Sequence, residues 1–111
     1  SNTLVIEGAG GLMVPLNSAN LVIDLITEFE TEVILVVKHY LGSINHTLLS
    51  IDELKNRNIP IAGIVFNGER NEASESVILN HYLFPFVAYV DHEPEFSKEV
   101  VLKYSKKFIT V

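Results

Sequence analysis

Four short runs of apolar residues, separated by longer segments with a helical period, constrain the fold of this chain more than any other feature. The runs are Thr3–Ile6, Glu32–Val37, Ile61–Phe66 and Phe86–Val90. Their apolar residues are consecutive rather than alternating, which is typical of strands covered on both faces. We therefore predict that the four runs form strands of a parallel sheet.

The segments between these runs predict helices, at Asn20–Glu28, Ser43–Arg57, Ser74–Leu83 and Ser97–Lys107. Ser43 and Ser74 are expected to cap the second and third of them, because a serine oxygen can accept a hydrogen bond from a first-turn N–H. Strand–helix alternation of this length predicts an α/β fold of about four strands and four helices, with helices flanking a parallel sheet.

Composition narrows the class of protein. Hydrophobic residues make up 48% of the 111 residues, enough for a real core, and the net charge is −6. An acidic balance argues against a nucleic-acid or anionic-membrane surface, which needs an excess of Lys and Arg. The absence of cysteine excludes disulfides and thiolate sites. With no long apolar stretch and no signal-peptide pattern, we expect a cytoplasmic chain without a membrane partner.

Polar residues after the predicted strands are the first candidates for chemistry, because ligands gather at the carboxyl ends of strands in open α/β sheets. Glu7 follows the first strand and precedes Gly8, Gly10 and Gly11. A carboxylate there can hold a divalent cation, and the glycines let backbone N–H groups approach an anion. The alternative is an ordinary tight turn with a solvated Glu7.

The segment Gly42–Asn45 joins the second strand to the longest predicted helix. A helix start offers unpaired N–H groups and a partial positive charge, which suit a carboxylate or a phosphate. The alternative is that Ser43 only caps the helix. His46 follows, and no nearby residue suggests an orienting partner for it.

Asn67 follows the third strand, and its amide has both a donor and an acceptor with which to read a base edge. Asn67-Gly68 is also a common turn pair, which is the alternative. The remaining histidines have no metal-ligand spacing; they are His39, His81 and His92.

Three strings of residues resemble one enzyme family, the dethiobiotin synthetases. Residues Val5–Leu16 (VIEGAGGLMVPL) resemble a signature segment of the family, Leu41–Leu49 (LGSINHTLL) a second and Ala62–Asn67 (AGIVFN) a third. The three strings occur in the family's order and at about its spacing, and the similarity extends over nearly the whole chain.

The resemblance implies a homodimeric P-loop-type enzyme that closes the ureido ring of dethiobiotin from 7,8-diaminononanoate, carbon dioxide and MgATP. The diamine becomes a carbamate, ATP phosphorylates it, and the second amine displaces phosphate. By similarity, Glu7 is a magnesium and nucleotide ligand, and Gly10 and Gly11 lie by the reacting groups. Gly42, Ser43, Ile44 and Asn45 receive the substrate carboxylate across the dimer interface. Asn67 contacts adenine.

The chain departs from the family's pattern in two places. The phosphate loop G-x-x-x-x-G-K-S/T is absent from these 111 residues, and that loop supplies an N–H cradle, a lysine and a hydroxyl on magnesium. We therefore expect a single partial domain, the C-terminal part of a synthetase, that is inactive alone. The family's Gly-x-Ile-Pro-like segment after the last strand reads Ala88–Asp91 here.

Two other functions fit the resemblance. One is a non-catalytic synthetase-like module attached to another enzyme, where it regulates or assembles. The other is a cobyrinate-type amidotransferase synthetase, a relative with a similar glycine-rich turn. Met13–Leu16 after the glycines favours the synthetase over both.

Overall fold

The computed structural model describes residues 2–108 and divides into two compact units, which meet in sequence between Thr31 and Glu32. The first unit contains helix α1, Val22–Phe29. The second contains strands β1 (Val33–Val37), β2 (Ile61–Asn67) and β3 (Val87–Val90), and helices α2 (Ser43–Asn56), α3 (Glu72–His81) and α4 (Lys98–Ser105). A short 3₁₀ turn, Lys106–Phe108, follows α4.

In the first unit, backbone carbonyls within residues 12–14 accept hydrogen bonds from the first N–H groups of α1. The N–H groups of Val22 and Ile23 donate to the carbonyls of Val14 and Leu12, each at 2.9 Å. The Asp24 carboxylate accepts the Leu21 N–H at 2.7 Å. An acidic side chain in the first turn also complements the partial positive charge of a helix start. The predicted helix at Asn20–Glu28 is confirmed.

The predicted strand at Thr3–Ile6 is wrong. The structure assigns no strand to these residues, and the side chains of Leu4 and Val5 are 80% and 86% exposed. A strand is stabilised by a hydrogen-bonded neighbour and by cover on its faces. No described strand pairs with this segment, so its apolar composition alone does not make a strand.

In the second unit, the three strands form a parallel sheet in the order β1-β2-β3. The central strand β2 is buried along most of its length, which explains its unbroken apolar run. The three later runs and all four helices are confirmed, so the α/β fold is correct, with three strands rather than about four among the described residues.

The core of the second unit lies around β2 and the helices beside it. Fully buried side chains come from β2, α2 and α3, namely Phe66, Ile64, Ile51, Leu54 and Ile78. Each such burial is worth about 1.5–3 kcal/mol relative to an exposed side chain. This core fixes the carboxyl ends of the three strands, including Asn67 at the end of β2.

Both predicted serine caps are wrong. Helix α2 is capped by Gly42 and has no side-chain cap hydrogen bond, and Ser43 is its first residue. Helix α3 begins two residues earlier than predicted, because Asn71 is its cap and accepts the Ser74 N–H at 3.0 Å. Asparagine is at least as good a cap as serine, so the earlier residue starts the helix.

Within residues 2–108, no helix is both long enough and apolar enough to cross a bilayer.

Candidate functional site

The start of α2 is an open backbone donor site. Gly42 has φ 97°, a left-handed conformation that glycine adopts without the penalty of a side chain. The first-turn N–H groups of a helix have no partner within the helix, and here no side chain caps them and no acidic residue lies in the first turn. Ile44 is half-buried and Asn45 is exposed. The arrangement suits an incoming carboxylate, because the positive partial charge of the helix start coincides with the N–H groups of Ile44 and Asn45.

Ser43 does not contribute an exposed hydroxyl to this helix start. Its residue is 3% exposed, and its N–H donates to the Tyr40 carbonyl at 3.0 Å. Ser43 is therefore buried with its N–H already paired, and it supplies neither a cap nor a surface side chain.

His46 has a partner that sequence reasoning missed. The Tyr40 hydroxyl lies 2.7 Å from His46 Nδ1, with the two rings 5.7 Å apart. Because Tyr40 precedes Gly42 and His46 follows it, this hydrogen bond spans the turn into α2. It braces the conformation of the predicted carboxylate-binding segment.

Asn67 is the last residue of β2 rather than the first residue after it. It pairs with Val90 of β3, and its side chain is exposed at the carboxyl edge of the sheet. Gly68 turns the chain, with φ 99°, and its N–H donates to the Val90 carbonyl at 2.7 Å. The strand thus fixes the backbone of Asn67, and the turn begins only at Gly68.

A buried carboxylate, Glu75 of α3, lies at the same edge and was not predicted. It is 3% exposed. Its Oε1 accepts Arg70 Nη2 at 2.7 Å, and its Oε2 accepts the Asn71 N–H at 3.0 Å and lies 2.9 Å from His39 Nε2. The Arg70 guanidinium, followed by the backbone N–H and His39, lowers the pKa of Glu75 from 4.5 to about 2, against the opposing effect of burial.

An aromatic stack runs from this carboxylate across the sheet. His39 stacks on Phe66 and Phe66 on Tyr89, each pair with centroids 5.6 Å apart, and the Arg70 guanidinium lies 3.8 Å from the Tyr89 ring centroid. The stack closes on Glu75, which bonds both His39 and Arg70. Cation–π contact and charge-assisted hydrogen bonds therefore act on the same guanidinium.

The first unit carries Glu7, Gly10 and Gly11. Glu7 is exposed, and the two glycines have φ 85° and 109°. Positive φ at both positions is the left-handed region that glycine adopts without the penalty of a side chain. A Cβ at Gly10 would meet Val14 Cγ2 at 3.0 Å, so position 10 is constrained by contact as well as by φ.

No cluster of three or more His, Cys, Asp or Glu side chains within residues 2–108 is arranged to hold a metal ion. A lone exposed carboxylate such as Glu7 fits Mg²⁺ rather than a fully caged metal, since Mg²⁺ is held by one or two carboxylates plus phosphate oxygens and water.

Comparison with known proteins decides the family. A family model described as "AAA domain" matches residues 1–100. The chain belongs to the AAA domain family of P-loop NTPases. This membership agrees with the parallel α/β sheet of the second unit.

Within the AAA domain family, the chain is similar to dethiobiotin synthetases, which confirms the resemblance seen in the three strings. An ATP-dependent dethiobiotin synthetase of Cytophaga hutchinsonii is 58% identical over 106 residues, covering 96% of this chain and 52% of that protein. One of Christiangramia forsetii is 51% identical over 105 residues, covering 95% and 50%. One of Rhodopseudomonas palustris is 51% identical over 78 residues, covering 70% and 37%. The chain thus spans about half the length of the first two relatives.

Proposed function

We propose that this AAA-domain chain is part of an ATP-dependent dethiobiotin synthetase, acting on 7,8-diaminononanoate, carbon dioxide and MgATP. The observation that carries the proposal is 58% identity over 106 residues to a protein of that name. Because the chain spans about half of that relative, we place the phosphate loop in the other half. The 111 residues alone are then inactive and bind ATP weakly.

In this proposal Glu7 supplies a carboxylate oxygen to Mg²⁺ beside the nucleotide phosphates. The ion, when bound, offsets charge on the phosphoryl group that moves to the carbamate. The backbone at Gly10 and Gly11 approaches the carbamate and phosphate, and the positive φ angles of both glycines support that role. A side chain at either position would strain this turn.

The start of α2 holds the substrate carboxylate. Gly42 caps the helix without a side-chain hydrogen bond, and Ser43, Ile44 and Asn45 begin it. Because the Ser43 N–H already donates to the Tyr40 carbonyl, the N–H groups of Ile44 and Asn45 are the donors at the positive end of this 14-residue helix. The carboxylate lies far from the reacting amines of a long diamine, so this contact orients the substrate rather than activating it. In the proposed homodimer, the helix start serves the partner's substrate.

Asn67 contacts the adenine base. Its exposed side chain at the end of β2, on a backbone fixed by pairing with Val90, supports this role. We further propose that the enzyme is cytoplasmic, as expected of a cysteine-free, acidic biosynthetic protein.

The test is phosphate release by the protein encoded in the complete reading frame. We expect 7,8-diaminononanoate with bicarbonate to stimulate release from MgATP, and Glu7→Ala to lower that stimulated rate by about 100-fold or more, as loss of a metal contact at the reacting phosphate would. Glu28→Ala, an exposed carboxylate of the same unit, is the matched control and should retain the wild-type rate. A rate that the diamine leaves unchanged would contradict the synthetase assignment.

A further inference from the structure

One buried carboxylate joins the two connections that carry the proposed ligand contacts. His39 lies between β1 and Gly42, the cap of α2, while Arg70 and Asn71 lie between Asn67 and α3. Glu75 bonds all three of His39, Arg70 and Asn71. Glu75 thus links the helix start proposed for the substrate to the strand end proposed for adenine. We call Glu75 and its three partners the anchor.

Several hydrogen bonds hold the anchor, and with it the loop after β2, in one geometry. Arg70 donates through Nε and Nη2, at 2.7–3.1 Å, and the backbone N–H of Asn71 adds a donor with no rotational freedom of its own. On the far side of the loop, the Gly68 N–H is held by the Val90 carbonyl. The five residues from Asn67 to Asn71 are therefore fixed at both ends.

We propose that Glu75 is a positioning residue for nucleotide binding, acting through Asn67. This inference rests on the proposed function, in which Asn67 contacts adenine. Glu75 itself touches no ligand. It fixes the conformation of the loop after β2, so that Asn67 is held in one arrangement before the nucleotide binds. Through His39 it also fixes the connection between β1 and α2.

The chemistry at position 75 requires a carboxylate rather than any polar group of that size. Both oxygens of Glu75 accept hydrogen bonds from Arg70, and Oε2 also accepts the Asn71 N–H and lies 2.9 Å from His39 Nε2. The amide of glutamine has a single acceptor oxygen. Whichever way that amide turns, its NH₂ group replaces an oxygen that accepts from Arg70, and in one orientation it also faces the Asn71 N–H, so Glu75→Gln loosens the hold on the loop after β2.

The test is the dissociation constant for MgATP, measured by calorimetry on the protein encoded in the complete reading frame. We expect Glu75→Gln to weaken binding by about ten-fold or more, the size of effect that a misplaced contact produces. Ile78→Val is the matched control, because Ile78 is fully buried in the same helix. It lowers stability without touching the anchor and should change binding less than about two-fold, since cores tolerate such swaps.

A second arm distinguishes positioning from a general loss of structure. In an Asn67→Ala background, Glu75→Gln should add less than about two-fold, because its effect passes through the missing side chain. Multiplicative effects, or wild-type binding by Glu75→Gln, would overturn the inference. If Glu75→Gln does not fold, Arg70→Gln, which removes the bonds of an exposed side chain, takes its place under the same criteria.

The two assays distinguish a wrong role for Glu75 from a wrong proposed reaction. MgATP binding without diamine-dependent phosphate release overturns the proposed reaction and leaves the positioning result intact. Phosphate release with binding that is insensitive to position 75 overturns only the inference. No MgATP binding by the wild-type protein overturns both.

Discussion

The ionised form of Glu75 stabilises the fold by an amount that follows from its pKa. That pKa falls from 4.5 to about 2 on folding. At about 1.4 kcal/mol per pKa unit, the difference corresponds to about 3 kcal/mol of unfolding free energy. Because the pKa is depressed in the folded state, this contribution is fully present above about pH 5 and is lost as the pH falls through 4.5 towards 2.

The perturbation is Glu75→Gln, and the assay is urea unfolding of the chain at pH 7 and pH 3, on either side of its pI of about 5.1. At pH 3, which lies between the two pKa values, only about 1 of the 3 kcal/mol of unfolding free energy remains. We therefore expect the wild type to exceed the variant by about 3 kcal/mol at pH 7 and by about 1 kcal/mol at pH 3. All other carboxylates are common to both proteins and cancel in the difference.

The control is Glu72→Gln, an exposed carboxylate in the first turn of the same helix. Its difference from the wild type should stay within about 0.5 kcal/mol at both pH values, as for most surface substitutions. If the unfolding free energies of the wild type and Glu75→Gln differ by the same amount at pH 7 and pH 3, the reasoning is refuted. The loss would then come from changed packing rather than from the lost charge.

Two glycine substitutions test the backbone near the candidate site. A Cβ at Gly63 would lie 2.8 Å from Phe86 Cδ1 and 2.9 Å from the Phe86 carbonyl oxygen, so Gly63→Ala should lower the unfolding free energy by about 1–3 kcal/mol in a urea titration. Gly42→Ala places a side chain at φ 97° and should cost about 1–2 kcal/mol in thermal unfolding. Asn45→Ala, at an exposed position of the same helix, should cost less than about 0.5 kcal/mol. Equal melting temperatures for the last two variants would contradict the strain assigned to Gly42.

The fold of the second unit was predictable because its signals are local. Apolar runs of strand length and helical segments with an apolar stripe each carry their own period, and β1–β3 and α2–α4 lie within a few residues of the predicted bounds. Thr3–Ile6 carries the same apolar signal without forming a strand. Strand formation depends on a neighbour, and composition does not encode where that neighbour lies.

The candidate site was only partly predictable. Gly42 and Asn67 were predicted from their places at a helix start and a strand end, and the structure has them at such places. Glu7 was predicted from a strand before it that the structure does not show, and its role stays a prediction. Glu75 was missed because its partners His39 and Arg70 are 36 and 5 residues away and meet only in the folded sheet. One signal was present: Glu75 lies three residues before the buried Ile78, on the inward face of α3. An acidic residue on an apolar stripe predicts a buried partner.

The stack of His39, Phe66, Tyr89 and Arg70 couples these four positions of the sheet edge to one another. Phe66 is packed between His39 and Tyr89, at 5.6 Å on both sides, and Arg70 covers Tyr89. A change in size or charge at one position therefore affects the next. A substitution at one of these positions is therefore expected to change the effect of a substitution at the next. The four positions are therefore to be redesigned together rather than as four independent choices.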